Sequence, residues 1–168
     1  MSLILFFAFL LGVPVIDQIT KLIVDANMTL GQTIPLWKDV FHITYIHNEG
    51  AAMGMLSGHR WVFLVLSTVG IVLMCLYLWY YAKTTLSRVG LSLVIAGGIG
   101  NMIDRMVLGF VVDFIDFCAF DFWVWVFNIA DAAVCVGAAI FMLDLVLELV
   151  REMRGKKADA GDGNGTAN

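Results

Sequence analysis

The sequence predicts an all-α membrane protein, a four-transmembrane-helix bundle with a small β-structured segment outside the bilayer. Two observations lead there. Of 168 residues, 61% are hydrophobic and 14% charged, where soluble domains average about 45–50% apolar. The apolar residues fall in four runs, each close to the ~20 residues that cross a ~30 Å hydrocarbon layer at ~1.5 Å per residue.

The first span covers about residues 3–25. It lacks the basic start and small-residue cleavage pattern of a secretory signal, so it reads as a retained helix. Asp17 and Lys21, near its end, are spaced i, i+4 and share a face on which they can pair. An interfacial anchor with a snorkelling Lys21 is the simpler reading of that pair. Residues 26–60 change character, with Gly31, Pro35, Asp39 and the alternating run FHITYIH at 41–47. That alternation predicts a half-buried strand, and the small residues after Asn48 permit a tight turn. The second span, about 61–81, carries no ionisable side chain other than interfacial tyrosines. Spans three and four cover about 89–108 and 127–150.

Lys83 and Arg88 in the short linker, with Arg151, Arg154, Lys156 and Lys157 in the tail, hold most of the ten basic residues. The positive-inside rule therefore puts that linker and both termini in the cytoplasm, and residues 26–60 and 109–124 outside. The membrane domain is expected over 1–154 and a disordered cytoplasmic tail over 155–168. No inverted repeat of the kind used by many transporters is visible.

Function is legible in residues 97–131, where Asn101, Asp104, Arg105, Asp113, Asp116, Asp121, Asn128 and Asp131 interrupt lipid-suited sequence. A charge near the bilayer centre costs at least about 2.5–3.5 kcal/mol, so such residues mark function by default. Gly97, Gly98 and Gly100 permit close helix approach. Asn101 shares a helical face with Asp104 and Arg105, which are read as partly neutralising one another. Asp113 follows a turn at Gly109, and Asp131 opens span four, where Asn128 is placed to cap the helix. The chain direction sets Asp113 and Asp131 on the same outer side, joined by a re-entrant or looping segment. Paired carboxylates in an apolar setting share one proton, and such a pair hydrolyses amides: one member activates water and the other protonates the scissile carbonyl. Asp116 and Asp121 compete for membership of the pair.

Other chemistries have weaker support. Cys75, Cys118 and Cys135 show no paired spacing, and His42, His47 and His59 fit no metal pattern, so neither disulfide nor metal site is expected. A proton or cation path through Asp104, Asp113 and Asp131 would have to continue past an apolar second span. Ser57 with Lys21 offers a serine-type alternative, and a purely structural assembly factor leaves the buried acids without purpose.

The runs DQITK at 17–21, NEGAAMG at 48–54, GGIGNMIDR at 97–105, VVDFIDF at 111–117 and FNIAD at 127–131 together resemble bacterial lipoprotein signal peptidase, signal peptidase II. The resemblance spans about residues 10–145. It implies an aspartic endopeptidase of the bacterial inner membrane with a small extracytoplasmic β-cradle and no cofactor, acting as a monomer without nucleic acid. It implies cleavage of diacylglyceryl-modified prolipoproteins before the lipidated cysteine, within the membrane lipid, and inhibition by the cyclic peptide globomycin between the aspartates. Asp113 and Asp131 match the catalytic pair. Asn48, Gly50, Asn101, Arg105, Asn128 and Ala130 match positions that shape the site, and Asp17, Lys21 and Asp104 match supporting positions. Met53 and Gly98 depart from the residues common in the family, phenylalanine and alanine respectively.

Overall fold

The computed structural model describes residues 3–50, 60–119 and 125–162, with side chains over 6–50, 60–119 and 125–156. In chain order the elements are helix α1 (Leu3–Asn27), strands β1 (Thr33–Trp37) and β2 (Phe41–Asn48), helices α2 (Arg60–Tyr80) and α3 (Thr85–Val107), strands β3 (Val111–Phe117) and β4 (Val126–Phe127), and helix α4 (Ile129–Asp162). Each of the four helices is long and apolar enough to cross a membrane.

The helices are amphipathic in the sense opposite to soluble ones. On α1, Pro14, Asp17, Lys21 and Val24 are buried, following the i, i+3, i+7 spacing of one face. Phe7, Leu11, Val15, Ile19 and Leu22 are exposed and make the opposite face, suited to lipid. Lys21 is thus a buried residue at 3% exposure, and the snorkelling anchor is excluded. α3 is the most buried of the spans and packs against α1, α2 and α4.

Glycine sets how closely α3 meets α4. A β-carbon on Gly97 would lie 2.3 Å from the Ala130 carbonyl oxygen, and one on Gly90 would lie 2.7 Å from that of Gly137. Neither backbone oxygen can retreat without moving its helix. Gly98 faces elsewhere: its nearest neighbour would be the Ile71 side chain at 3.3 Å, which has rotamer freedom.

The strands form one antiparallel sheet in the order β1-β2-β3-β4. β2 confirms the alternating run at 41–47, and its Tyr45 joins Val24, Val112 and Phe114 in a small core between the sheet and α1. The stretch VVDFIDF, expected as part of a re-entrant or looping segment, is instead strand β3, paired with β2 so that Ile46 faces Asp113 and Asn48 faces Val111. Its burial is nearly continuous from Val111 to Phe114, which conceals the alternation that marks a half-buried strand. A turn at Gly109, with φ +91°, leads from α3 into it, as the sequence predicts. α4 runs on through the 155 boundary to Asp162. Once a helix is nucleated, propagation adds one bond per residue, and the Lys156, Lys157 and Ala158 that follow are good helix formers.

Candidate active site

Asp113 is fully buried on β3. Its Oδ2 accepts from Asn48 Nδ2 at 2.8 Å and its Oδ1 from Asn128 Nδ2 at 2.6 Å. The sheet register explains the first contact, since Asn48 on β2 and Asp113 are diagonal neighbours on one face. Asp131 stands in the first turn of α4. Its Oδ1 accepts from Asn101 Nδ2 at 2.7 Å, and its Oδ2 from the Asn128 backbone N–H at 3.2 Å. The Asp131 N–H donates in return to Asn128 Oδ1 at 2.9 Å. This reciprocal pair is a capping box, so Asn128 is the helix cap the sequence predicts and Asp131 its acid.

Asn128 therefore holds both aspartates, one through its side-chain amide and the other through its backbone. Burial and the nearby Asp131 charge push the Asp113 carboxyl up to about 7, against the opposing hydrogen bonds of Asn48 and Asn128 and the charge of Lys21.

Behind the pair lies a second layer built on one ammonium. Lys21 Nζ is 2.7 Å from Asp17 Oδ2, 3.0 Å from Asp104 Oδ2 and 3.0 Å from Asn101 Oδ1. Asp17 Oδ1 accepts from the Ala130 N–H at 2.9 Å, next to Asp131 in the chain. Asp104 Oδ2 accepts from the Val112 N–H at 3.1 Å, next to Asp113. Each aspartate's backbone is thus tied through a buried carboxylate to Lys21. Gly100 belongs to the same layer: a β-carbon there would lie 2.8 Å from Asp17 Oδ2 and 3.0 Å from Ala130 Cβ. Among the described residues, every buried side-chain nitrogen and oxygen has a partner.

Asp104 makes its direct ion pair with Lys21, while the Asp104 and Arg105 charges act on each other without a salt bridge. Arg105 turns the other way. Its Nη2 donates to the Gly50 carbonyl at 3.1 Å, and its guanidinium lies 5.0 Å over the Phe63 ring. The Gly50 N–H in turn donates to Asn48 Oδ1 at 3.1 Å, so Arg105 steadies the turn that presents Asn48 to Asp113. Asp116 sits apart, accepting from Thr44 Oγ1 at 2.6 Å. Asp121, Met53, Ser57 and His59 lie outside the described residues.

Two participants escaped the sequence reading. Gln18 Nε2 donates to Asp104 Oδ1 at 2.6 Å; its position beside Asp17 was the available signal. The Tyr45 hydroxyl bonds the Asp25 carboxylate and lies 2.8 Å from His47 Nε2. Burial, followed by Asp25, pushes this phenol up to about 12.

The arrangement of two carboxylates held by asparagine amides at the end of a membrane helix agrees with a sequence match. A family model described as Signal peptidase (SPase) II covers residues 9–147. The chain belongs to the signal peptidase II family. It is 44% identical over 136 residues to the lipoprotein signal peptidase of Halothermothrix orenii, covering 79% of this chain and 89% of that protein. To the lipoprotein signal peptidase of Clostridioides difficile it is 42% identical over 132 residues, covering 79% and 87%. Two solved structures share the fold. A bacterial membrane enzyme determined by the in meso method at 2.3 Å superposes with a TM-score of 0.83 at 30% identity, covering 88% of this chain and 90% of the other. A second, at 1.9 Å, gives 0.79 at 31% identity, covering 85% and 93%. The signal peptidase II family makes this protein a multi-pass membrane peptidase. Of the positions matched to the family motifs, Asn48, Gly50, Asn101, Arg105, Asn128, Ala130, Asp17, Lys21 and Asp104 all converge around Asp113 and Asp131.

Proposed function

We propose that this protein is an aspartic endopeptidase that removes signal peptides from diacylglyceryl-modified prolipoproteins, cleaving before the lipidated cysteine. The observation that carries the reading is the shared grip of Asn128 on Asp113 and Asp131. It fixes two carboxylates beside each other while leaving Asp131 only half-buried, the side from which water and a peptide reach them.

The chemistry follows from the environment. Two adjacent acids, one buried and one half-buried, retain one proton between them at neutral pH, and that proton belongs to the pair. The ionised member takes a proton from a water molecule as it attacks the scissile carbonyl carbon, and the protonated member hydrogen-bonds the carbonyl oxygen as negative charge develops there. Collapse of the tetrahedral intermediate expels the amine, which takes a proton from the pair and restores the starting state. Asn48, Asn101 and Asn128 orient the carboxylates without adding charge. Lys21 offsets Asp17 and Asp104 behind them, so the net charge of the buried cluster stays small.

The basic α2–α3 linker and the basic residues late in α4 support a placement with both termini cytoplasmic and the site at the outer face of the bacterial inner membrane. Globomycin, a cyclic peptide inhibitor of the family, is expected to compete with substrate for the space between the aspartates. The test is mass spectrometry of the products from a synthetic diacylglyceryl-modified prolipoprotein. A mature fragment beginning at the lipidated cysteine, lost on adding globomycin, is the expected result. Cleavage elsewhere, or equal cleavage of the unlipidated peptide, would contradict the reading.

A further inference from the structure

The outer halves of α2 and α3 stand apart and leave a groove of about 510 Å3, lined among others by Trp61, Leu64, Val65, Val69, Met102 and Arg105. This is a ligand-sized space, within the roughly 300–1,000 Å3 typical of binding pockets. Its floor is apolar, and it closes where Thr68 Oγ1 approaches Met102 Sδ at 3.8 Å. From Trp61 to Val69 it runs about 12 Å along the helix at ~1.5 Å per residue, close to the ~15 Å of one hydrocarbon leaflet. Val65 and Val69 are exposed there, so an alkyl chain entering from lipid meets no polar barrier.

The mouth of the groove adjoins the catalytic cluster. Arg105 lines the groove and also holds the Gly50 carbonyl, and its charge is felt at both Asp113 and Asp131. Its guanidinium has five N–H donors in a planar fork, of which the described contacts are to the Gly50 and Asn101 carbonyls. A guanidinium at the mouth suits the ester carbonyls of an uncharged glyceride. Arg60 and Trp61, with the guanidinium 4.9 Å over the indole, form the interfacial rim.

We infer that the α2–α3 groove is the subsite for one acyl chain of the substrate's diacylglyceryl group, with Arg105 at its mouth joining chain binding to the aspartates. This rests on the proposed prolipoprotein peptidase reading and makes it specific. The scissile bond immediately precedes the lipidated cysteine, so the glyceryl group is one residue from the dyad when cleavage occurs. The groove is a lipid-facing space, and its lining includes Arg105 of the site. Packing contacts along the chain, made in the groove instead of with neighbouring lipid, would then register the peptide bond against the two carboxylates.

The test compares two substrates that differ only in the glyceryl esters, dipalmitoyl against dibutyryl, using the full-length protein in nanodiscs of one phosphatidylcholine. Val65→Trp and Val69→Phe fill the groove. Leu66→Trp puts equal bulk at the same depth on a lipid-facing position outside it. The expected result is a fall of about tenfold in the long-to-short ratio of kcat/KM for the two groove variants, equivalent to about 1.4 kcal/mol of lost chain packing, and no change in that ratio for Leu66→Trp. An unchanged ratio in the groove variants would overturn the proposal and leave the groove to bulk lipid. Equal losses on both substrates would also overturn it, because they mark distortion of the site. Failure of wild type to cleave either substrate would instead bring down the peptidase reading itself.

Discussion

At Asp113 a single carboxyl connects folding to chemistry. Burial and the Asp131 charge raise it to about 7, so it keeps its proton over the pH range in which an ordinary aspartate is ionised. The unfolded chain releases that proton above about 3.9. A folded pKa above the unfolded one means that the folded state binds the extra proton between these values. The stabilisation is complete below the unfolded value and is lost as pH rises through about 7. Thermal unfolding of wild type in detergent should therefore show stability falling between pH 5 and 8, with a smaller slope in Asp113→Asn. Equal slopes would show that Asp113 does not titrate there. Activity should decline as pH rises through about 7, as the pair loses the proton it donates to the carbonyl; full activity at pH 9 in a pH–rate profile would contradict this. Lys21 poses the opposite case. Removing it in Lys21→Met leaves Asp17 and Asp104 as buried acids without their cation, which is expected to cost roughly 3–5 kcal/mol. Denaturant titration in mixed micelles measures that loss.

Among the elements, α3 and β3 show what the sequence reveals and what it hides. The four spans were legible because lipid imposes a length and an apolar composition; three appear within a few residues of their expected bounds, and α4 runs on past 150 to Asp162. The alternating run at 41–47 was legible as a strand because all its residues but Tyr45 are only partly buried, so polar His42 and Thr44 can alternate with apolar neighbours. β3 was hidden because it is buried on both faces, so Val111, Val112, Asp113 and Phe114 carry no period. The roles of Asp17 and Asp104 were hidden for a different reason. Their partners are the backbone N–H groups of Ala130, 113 residues from Asp17, and of Val112, across the Gly109 turn from Asp104, and backbone donors leave no mark in a sequence. Local spacing alone paired Asp17 with Lys21, since the i, i+4 relation describes a shared helical face, whereas the direct contact of Asp104 with Lys21 on another helix has no spacing to show it. Glycine gives a test at this scale. Gly97→Ala drives a methyl to 2.3 Å from the Ala130 carbonyl, so α4 must shift and carry Asp131 with it; a loss of activity of at least about tenfold is expected from a misplacement near 1 Å. Gly98→Ala meets only the Ile71 side chain, which can turn aside, and should keep wild-type activity. Equal activity for both variants in a cleavage assay would refute this account of the α3–α4 contact.

In the whole molecule, one buried polar layer ties together the three helices and the sheet that surround the dyad. α1 supplies Asp17, Gln18 and Lys21, α3 supplies Asn101, Asp104 and Arg105, the sheet supplies Asn48 and Asp113, and α4 supplies Asp131 behind its cap Asn128. Such groups are expensive in a membrane protein, and the cost is offset because each has a partner. The central claim is that this layer holds Asp113 and Asp131 as an acid–base pair for peptide hydrolysis. It is tested most directly by incubating a diacylglyceryl-modified prolipoprotein with purified wild type, Asp113→Asn and Asp131→Asn, each shown to be folded by its thermal transition. Wild type should process the substrate completely, and each variant should be slower by about 10²–10⁴, the range for loss of a positioned acid or base. Near-wild-type cleavage by either folded variant would contradict it.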